Sequence, residues 1–495
     1  MFFSQAIPAS AFAAYLFIKT SGEMGIVESL LSMGLGGCIF ALLAGQPLVI
    51  VGVTGPVSIF LATLYTLATQ WGLNFRGWVF FVSLWAAAMH AALACGSASL
   101  AFIHRVTPFS GAVFGCLIGV IYVVEGCIVL SRAFSEAATD AALLSLVLGL
   151  GAWGAAGALG AARAPWSPLS PLPPALRGIL ADYSLALAVV ALTAAQFIPS
   201  FQSARRGLLL LQVPSPAPGV GALALLPSTP RPWLDGAAIE SVPLWARGAA
   251  AFPAAVLTAL LFFDHNISSF LSQEPRFKLR KGPSYNYDLL LLGGSVLVSG
   301  VLGLPFNYGL IPQAPLHVRA LATIVPGVGG EGKEEWVHVV ENRVSPLLQS
   351  TLLLALLAHP LLALLGTVPQ GVLAGVLLYL GCEGLRDNGV VLGAVSLLRR
   401  VGGGGGHTEG APPAAPLEKA AAALLAIEVA AVGFIYYITT TAAGFIFPVA
   451  ILALVPLRLV VLPRLLGEAE INALDPRTVG GASGEESSEE LTGVT

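Results

Sequence analysis

Asp264 stands in the stretch Phe262-Phe263-Asp264-His265-Asn266-Ile267-Ser268, late in an apolar run that begins at Ala249. A carboxylate at that depth of a membrane helix costs about 2.5–3.5 kcal/mol on insertion scales, and faces a pathway or a partner. Ser268 follows four residues later on the same helix face, whereas Asn266 points elsewhere. That face offers a small hydroxylated solute one hydroxyl and one carboxylate, the latter as hydrogen-bond acceptor or proton carrier. His265 turns away from it, toward a packing role. Glu125 and His90 also interrupt apolar runs, as satisfied polar groups or supports for gating. Asp288 opens a helix where its charge suits the helix dipole, and Glu23 and Glu28 suit an interface.

Two further stretches break the apolar pattern. Gly303–His317 reads GLPFNYGLIPQAPLH, and Ala44–Phe60 reads AGQPLVIVGVTGPVSIF. Each has a Gly/Pro pair, a short extended apolar run and then a proline suited to a first helical turn: Pro47 with Pro56, and Pro305 with Pro312 or Pro315. Thr54 or Gly55 suits an N-cap, with Pro56 where its missing N–H costs nothing. Gln313-Ala314-Pro315 opens a second half-helix in the same way. A helix N-terminus carries about half a positive charge and several unpaired N–H groups. Two such ends facing each other at mid-depth form an anion or polyol site without a full positive charge. The expected solute-binding set is therefore Thr54, Gly55, Pro56, Asp264, Ser268, Gln313 and Ala314.

These residues need elements to hold them. The chain has 495 residues, 56% hydrophobic and 10% charged, with mean hydropathy +0.83. Soluble domains carry about 25% charged residues, so the composition predicts an all-α polytopic membrane protein. Spans, Pro/Gly breaks and charged loops divide it into about fourteen segments. Seven fall near 2–19, 24–45, 54–68, 77–103, 109–131, 139–162 and 181–199, and seven near 247–271, 286–303, 313–324, 343–365, 370–385, 419–440 and 443–465. Each break precedes the third segment of its half, and seven is odd, so the two halves run in opposite senses. Matched interruptions in inverted halves are the pattern of an inverted-repeat transporter. The expected units are residues 1–199 and 247–467 as the two repeats, an extramembrane loop at 200–246 and a disordered cytoplasmic tail at 468–495. Ala164–Ala175 is a Pro-rich connector and Val401–Pro416 a Gly-rich linker. With both termini cytoplasmic, most of the 24 Lys and Arg lie on that side, although Arg205, Arg206, Arg231 and Arg247 share one external loop.

The net charge of −3 identifies no partner, and nucleic acid is not expected. The five cysteines lie in apolar runs without metal-ligand spacing. The glycines at 402–406 lack the Lys-Ser/Thr of a phosphate loop, and no nucleophile–base pair appears, so an enzyme, a metal and a cofactor are not expected.

Phe262–Gly293, Gly303–His317 and Glu341–Ser350 resemble the bicarbonate-transporter, or anion-exchanger, family of solute carriers, and its boron-transporter branch in particular; Gly45–Pro56 and Ala181–Val190 extend the resemblance. It implies a seven-plus-seven repeat with a core of segments 1–4 and 8–11, a gate of segments 5–7 and 12–14, and a homodimer joined through the gates. It also implies elevator-like alternating access in a lipid bilayer, the plasma membrane being the expected one. Asp264 matches the family's acidic position at the solute site. Chloride/bicarbonate exchangers tend to carry Arg at the position of Gln313, and Gln there is similar to the boron branch. The implied activity is export of borate or boric acid, with the proton as coupling ion; bicarbonate or another inorganic anion is the alternative, and a non-transporting receptor or scaffold a third reading. The resemblance further implies residues upstream of segment 1, and the long insert of plant boron transporters is absent from 325–342. Gln313→Arg should raise bicarbonate or chloride flux relative to boron flux when the two are measured side by side.

Overall fold

The computed structural model describes residues 2–103, 105, 107–214, 232–273, 277–311, 313–326, 334–386, 388–401, 415–441 and 444–475. Pro312, part of the 200–246 loop, most of the Gly-rich linker and most of the tail therefore lie outside the described residues. The chain opens with α1 (Phe2–Lys19), α2 (Ile26–Leu43), β1 (Val51–Gly52) and α3 (Gly55–Gln70). Next come α4 (Phe75–Cys95), α5 (Ala98–Ile103), α6 (Pro108–Glu136), α7 (Thr139–Gly160), α8 (Pro174–Asp182) and α9 (Ser184–Ala195). Short helices α10 (Gln202–Arg205), α11 (Gly236–Glu240) and α12 (Leu244–Ala249) lead into α13 (Ala251–Ser272), α14 (Tyr285–Leu302), β2 (Tyr308–Gly309) and α15 (Gln313–Ala320). A hairpin of β3 (Ala322–Pro326) and β4 (Glu334–Val339) precedes α16 (Val344–Ala355), α17 (His359–Leu365), α18 (Gln370–Arg386) and α19 (Gly389–Val401). The chain closes with α20 (Ala415–Thr439), α21 (Phe447–Pro456), α22 (Leu462–Leu466) and α23 (Glu468–Leu474).

Among the described residues, eight helices are long and apolar enough to cross a membrane, or ten if α8/α9, bent by 73°, and α16/α17, bent by 82°, each count as one span. The remaining expected segments fall on α1, α3, α15 and α18. α2 packs on α16 and α4 on α14, while α6 packs on α18. α1 meets α9, α13 meets α21, α7 meets α18 and α6 meets α20.

Three expectations need correction. The fold is not purely helical. The helix expected over 313–324 ends at Ala320, and Ala322–Pro326 pairs antiparallel with Glu334–Val339; its Thr-Ile-Val run is β-branched and suits a strand. The tail does not begin disordered at 468: α23 follows, with Ile471 fully buried. Arg458, 1% exposed, pairs with Asp475, whose other oxygen accepts from Phe109 N at 2.9 Å. The third difference is α19, a short helix in a connector where no segment is expected.

The polar residues around the two breaks hold α2, α14 and α16 together. A Cβ at Gly36 would lie 2.3 Å from Asn307 Oδ1, and one at Gly37 2.1 Å from Ser350 Oγ, so a side chain at either position would displace a hydrogen-bonded neighbour. Asn307 donates to Ser32 Oγ at 3.1 Å and accepts from Ser295 Oγ at 3.0 Å. Ser32 in turn donates to Pro305 O at 2.5 Å. Asp288 does more than suit a dipole: it accepts from Gly45 N at 2.8 Å and from Ser284 Oγ at 2.7 Å, tying the first break to the start of α14. Arg343 caps the end of α2, donating to Ala41 O at 3.0 Å and Ala44 O at 2.7 Å. Hydrogen bonds to a charged group contribute about 1.5–3 kcal/mol each. Arg343→Ala should therefore lower the thermal unfolding midpoint of the detergent-solubilised protein by several degrees, and Arg343→Lys should recover only part of that loss.

Candidate solute site

The short extended runs of the two breaks pair with each other. β1 and β2 lie antiparallel, with Val51 opposite Gly309 and Gly52 opposite Tyr308, and Leu310 N donates to Ile50 O at 2.8 Å. Non-helical backbone at membrane depth is tolerated only where protein buries it or it lines a cavity; Val49, Ile50, Val51, Tyr308 and Leu310 are all buried. α3 and α15 leave this strand pair as the two half-helices.

Thr54 is the N-cap of α3 through its extended backbone, and Pro56 lies in the first turn. Its side chain does not cap the helix. Its hydroxyl bonds instead to the Tyr308 hydroxyl. α15 starts at Gln313, with Pro315 in its first turn. Ala314 is fully buried with Ile50 and Leu310, and its N–H donates to Leu310 O at 3.1 Å. The Gln313 side chain donates to Ser4 O at 3.0 Å, while its Oε1 is buried without a partner. Gln5, one residue on in α1, donates to Val51 O at 2.6 Å and accepts from Gln349. The first turn of α1 thus closes over the strand pair.

α13 packs beside β2 and α15 and brings up the acidic face. Asp264 is 4% exposed and lies beside the Tyr308 hydroxyl; its Oδ1 is buried with no partner. Ser268 donates to Leu310 O at 3.1 Å, which commits its proton to the second break. His265 has a more specific place than packing: its Nδ1 accepts from Gly309 N at 3.2 Å, and its ring sits edge-on to Phe40 at 5.5 Å. Asn266 bonds back to Phe262 O at 2.7 Å, away from the site.

Thr54, Asp264 and Ser268 therefore converge on residues 308–310, with Gly55 and Pro56 at the start of α3 and Gln313 and Ala314 at that of α15. Tyr308 and Gln5 are the residues that sequence reasoning misses. Tyr308 lies inside the quoted break, and its signal is a phenol hydroxyl beside Asn307 in the extended run. Gln5 is the one amide in the apolar first helix. Chemically, the cluster presents half-helix ends, amides, a phenol and an open carboxylate oxygen. Among the described residues, no group of three or more His, Cys, Asp or Glu could hold a metal ion.

The family model described as HCO3- transporter integral membrane domain matches residues 1–138 and 126–479. The chain belongs to the bicarbonate transporter family. Within that family it is 34% identical over 403 residues to Boron transporter 1 of Saccharomyces cerevisiae, covering 80% of this chain and 66% of that protein. It is 26% identical over 516 residues to Anion exchange protein 3 of Homo sapiens, covering 96% of this chain and 40% of that protein. The chain thus spans just under two thirds of the yeast relative and well under half of the human one. Among solved structures, the transmembrane domain of a cyanobacterium bicarbonate transporter, BicA, shares the fold at TM-score 0.56 and 16% identity, over 91% of this chain and 95% of that one.

Because the Tyr308 hydroxyl lies beside Asp264, changes at the two residues should not add. Tyr308→Phe and Asp264→Asn, each alone and combined, should show a coupling of about 0.5–3 kcal/mol in stability, read from unfolding in detergent. Additive losses would mean that the two side chains do not interact.

Proposed function

We propose that this chain is a secondary active transporter exporting borate or boric acid, with the solute held between the N-termini of α3 and α15 and against Asp264. The observation that carries this reading is the unpartnered Asp264 Oδ1 beside Tyr308, whose hydroxyl reaches the N-cap of α3. A buried polar atom without a partner is costly unless a ligand or water completes it. Boric acid brings hydroxyls to donate to that oxygen and oxygens to accept from the helix ends. Gln313 in place of a cation leaves the site without a fixed positive charge, which favours a weakly acidic, hydroxyl-rich solute over chloride. Similarity to a protein named as a boron transporter supports the same solute.

The packing supports a finer architecture. Under an inverted repeat of seven segments, α2 corresponds to α14 and α4 to α16. The contacts of α2 with α16 and of α4 with α14 then exchange under the same two-fold, as do those of α1 with α9 and α13 with α21. A core of segments 1–4 and 8–11 would move the site past a gate of segments 5–7 and 12–14, in a homodimer joined through its gates at the plasma membrane. The proton is the proposed coupling ion.

Bicarbonate or another inorganic anion is the second reading, supported by the paired helix ends and by similarity to an anion exchange protein. Expression in yeast lacking its own boron exporter should lower intracellular boron, while proteoliposomes should show no bicarbonate flux; the reverse result would select the second reading. Asp264→Ala should abolish the boron effect at equal protein level.

A further inference from the structure

A second group besides Tyr308 touches the start of α3, and it does not come from the strand pair. Tyr122 lies on α6, which packs chiefly on α18, α7 and α20. Its ring sits so close to the first residue of α3 that a Cβ at Gly55 would fall 2.5 Å from Tyr122 Cε1. Its hydroxyl oxygen lies beside the Gly55 backbone, where the N–H of a first-turn residue is left over at a helix start. Pro56 has no N–H, so Gly55 carries one of the few free donors at this end. The Tyr122 ring also packs on Phe12 of α1, with centroids 5.1 Å apart. One turn along α6, Glu125 interacts with Tyr15 and Lys19 on the same side of α1. The α1–α6 seam therefore runs directly over the N-terminus of α3.

We propose that Tyr122 is a built-in competitor of the solute. Its phenolic oxygen occupies the Gly55 N–H that a solute oxygen takes on binding, and the Phe12–Tyr122 contact parts when the exchange occurs. The half-helix end stays satisfied in the empty protein, and solute binding becomes a swap of one hydrogen bond for another. Loading is thereby tied to separation of α6 from α1. This role rests on the α3–α15 site proposed above.

Tyr122→Phe keeps the ring and its contact with Phe12 but removes the competing oxygen. In proteoliposomes supplied with a range of boric acid concentrations, and in parallel with bicarbonate, KM for the transported solute should fall about three- to tenfold, the worth of one hydrogen bond, with a smaller change in kcat. An unchanged or raised KM in folded protein overturns the proposal. A second measurement does not depend on that hydroxyl. In a chain whose five native cysteines are replaced by serine, Phe12→Cys with Tyr122→Cys joined by a short bifunctional thiosulfonate should lose flux and regain it on reduction. Flux that persists through the cross-link also overturns the proposal. Asp264→Ala is measured alongside: flux surviving that change removes the site itself, whereas flux lost there with KM unchanged in Tyr122→Phe removes only the competitor.

Discussion

An unpaired backbone amide or carbonyl in hydrocarbon costs several kcal/mol, and this chain breaks its helices twice where it can least tolerate that cost. The pairing of Val51–Gly52 with Tyr308–Gly309 resolves the problem for both breaks at once. Most of the site depends on that pairing. It sets where α3 and α15 begin, so it sets where their free N–H groups lie. It brings the Tyr308 hydroxyl across to Thr54. It also gives α13 something to grip, through His265 on Gly309 N and Ser268 on Leu310 O. Asp264 lies one residue before His265 on that same helix, so its position follows from bonds made by its neighbours.

Around this pair the polar residues divide into two kinds. Asn307, Ser32, Asp288 and Arg343 are fully engaged with the ends of α2 and α14, and their bonds fix the breaks in place. Asp264 Oδ1 and Gln313 Oε1 are buried without partners, as are Gln46 Oε1, His265 Nε2 and Asn266 Oδ1. Buried networks stabilise a fold when every member is satisfied and are costly when one is not.

The matched breaks, the prolines in the first turns of α3 and α15, and the shared face of Asp264 and Ser268 were all legible in the sequence. Local chemistry dictates each of them: a missing N–H, a fixed φ, a spacing of four. What was not legible depends on residues meeting across the chain. Nothing in the local pattern of VIVG or FNYG says that the two runs pair, because their bonding partners lie 254 residues apart in the case of Thr54 and Tyr308. The same distance hides Tyr308, and His265 reads as a packing residue until its acceptor nitrogen finds Gly309. At the tail, Gly, Ser and Glu dominate the composition, masking the seven residues of α23 whose order depends on Arg458 and Asp475.

The strand pair also bears on how the chain is made. When Val51 and Gly52 leave the ribosome their partners do not yet exist, and at about 5–20 residues per second they wait on the order of 10–50 s. Throughout that interval the first half carries an open sheet edge and an uncovered half-helix end. It cannot settle at full depth in the bilayer until the second half arrives. The backbone groups that pair across the two breaks are therefore satisfied only once both halves are made.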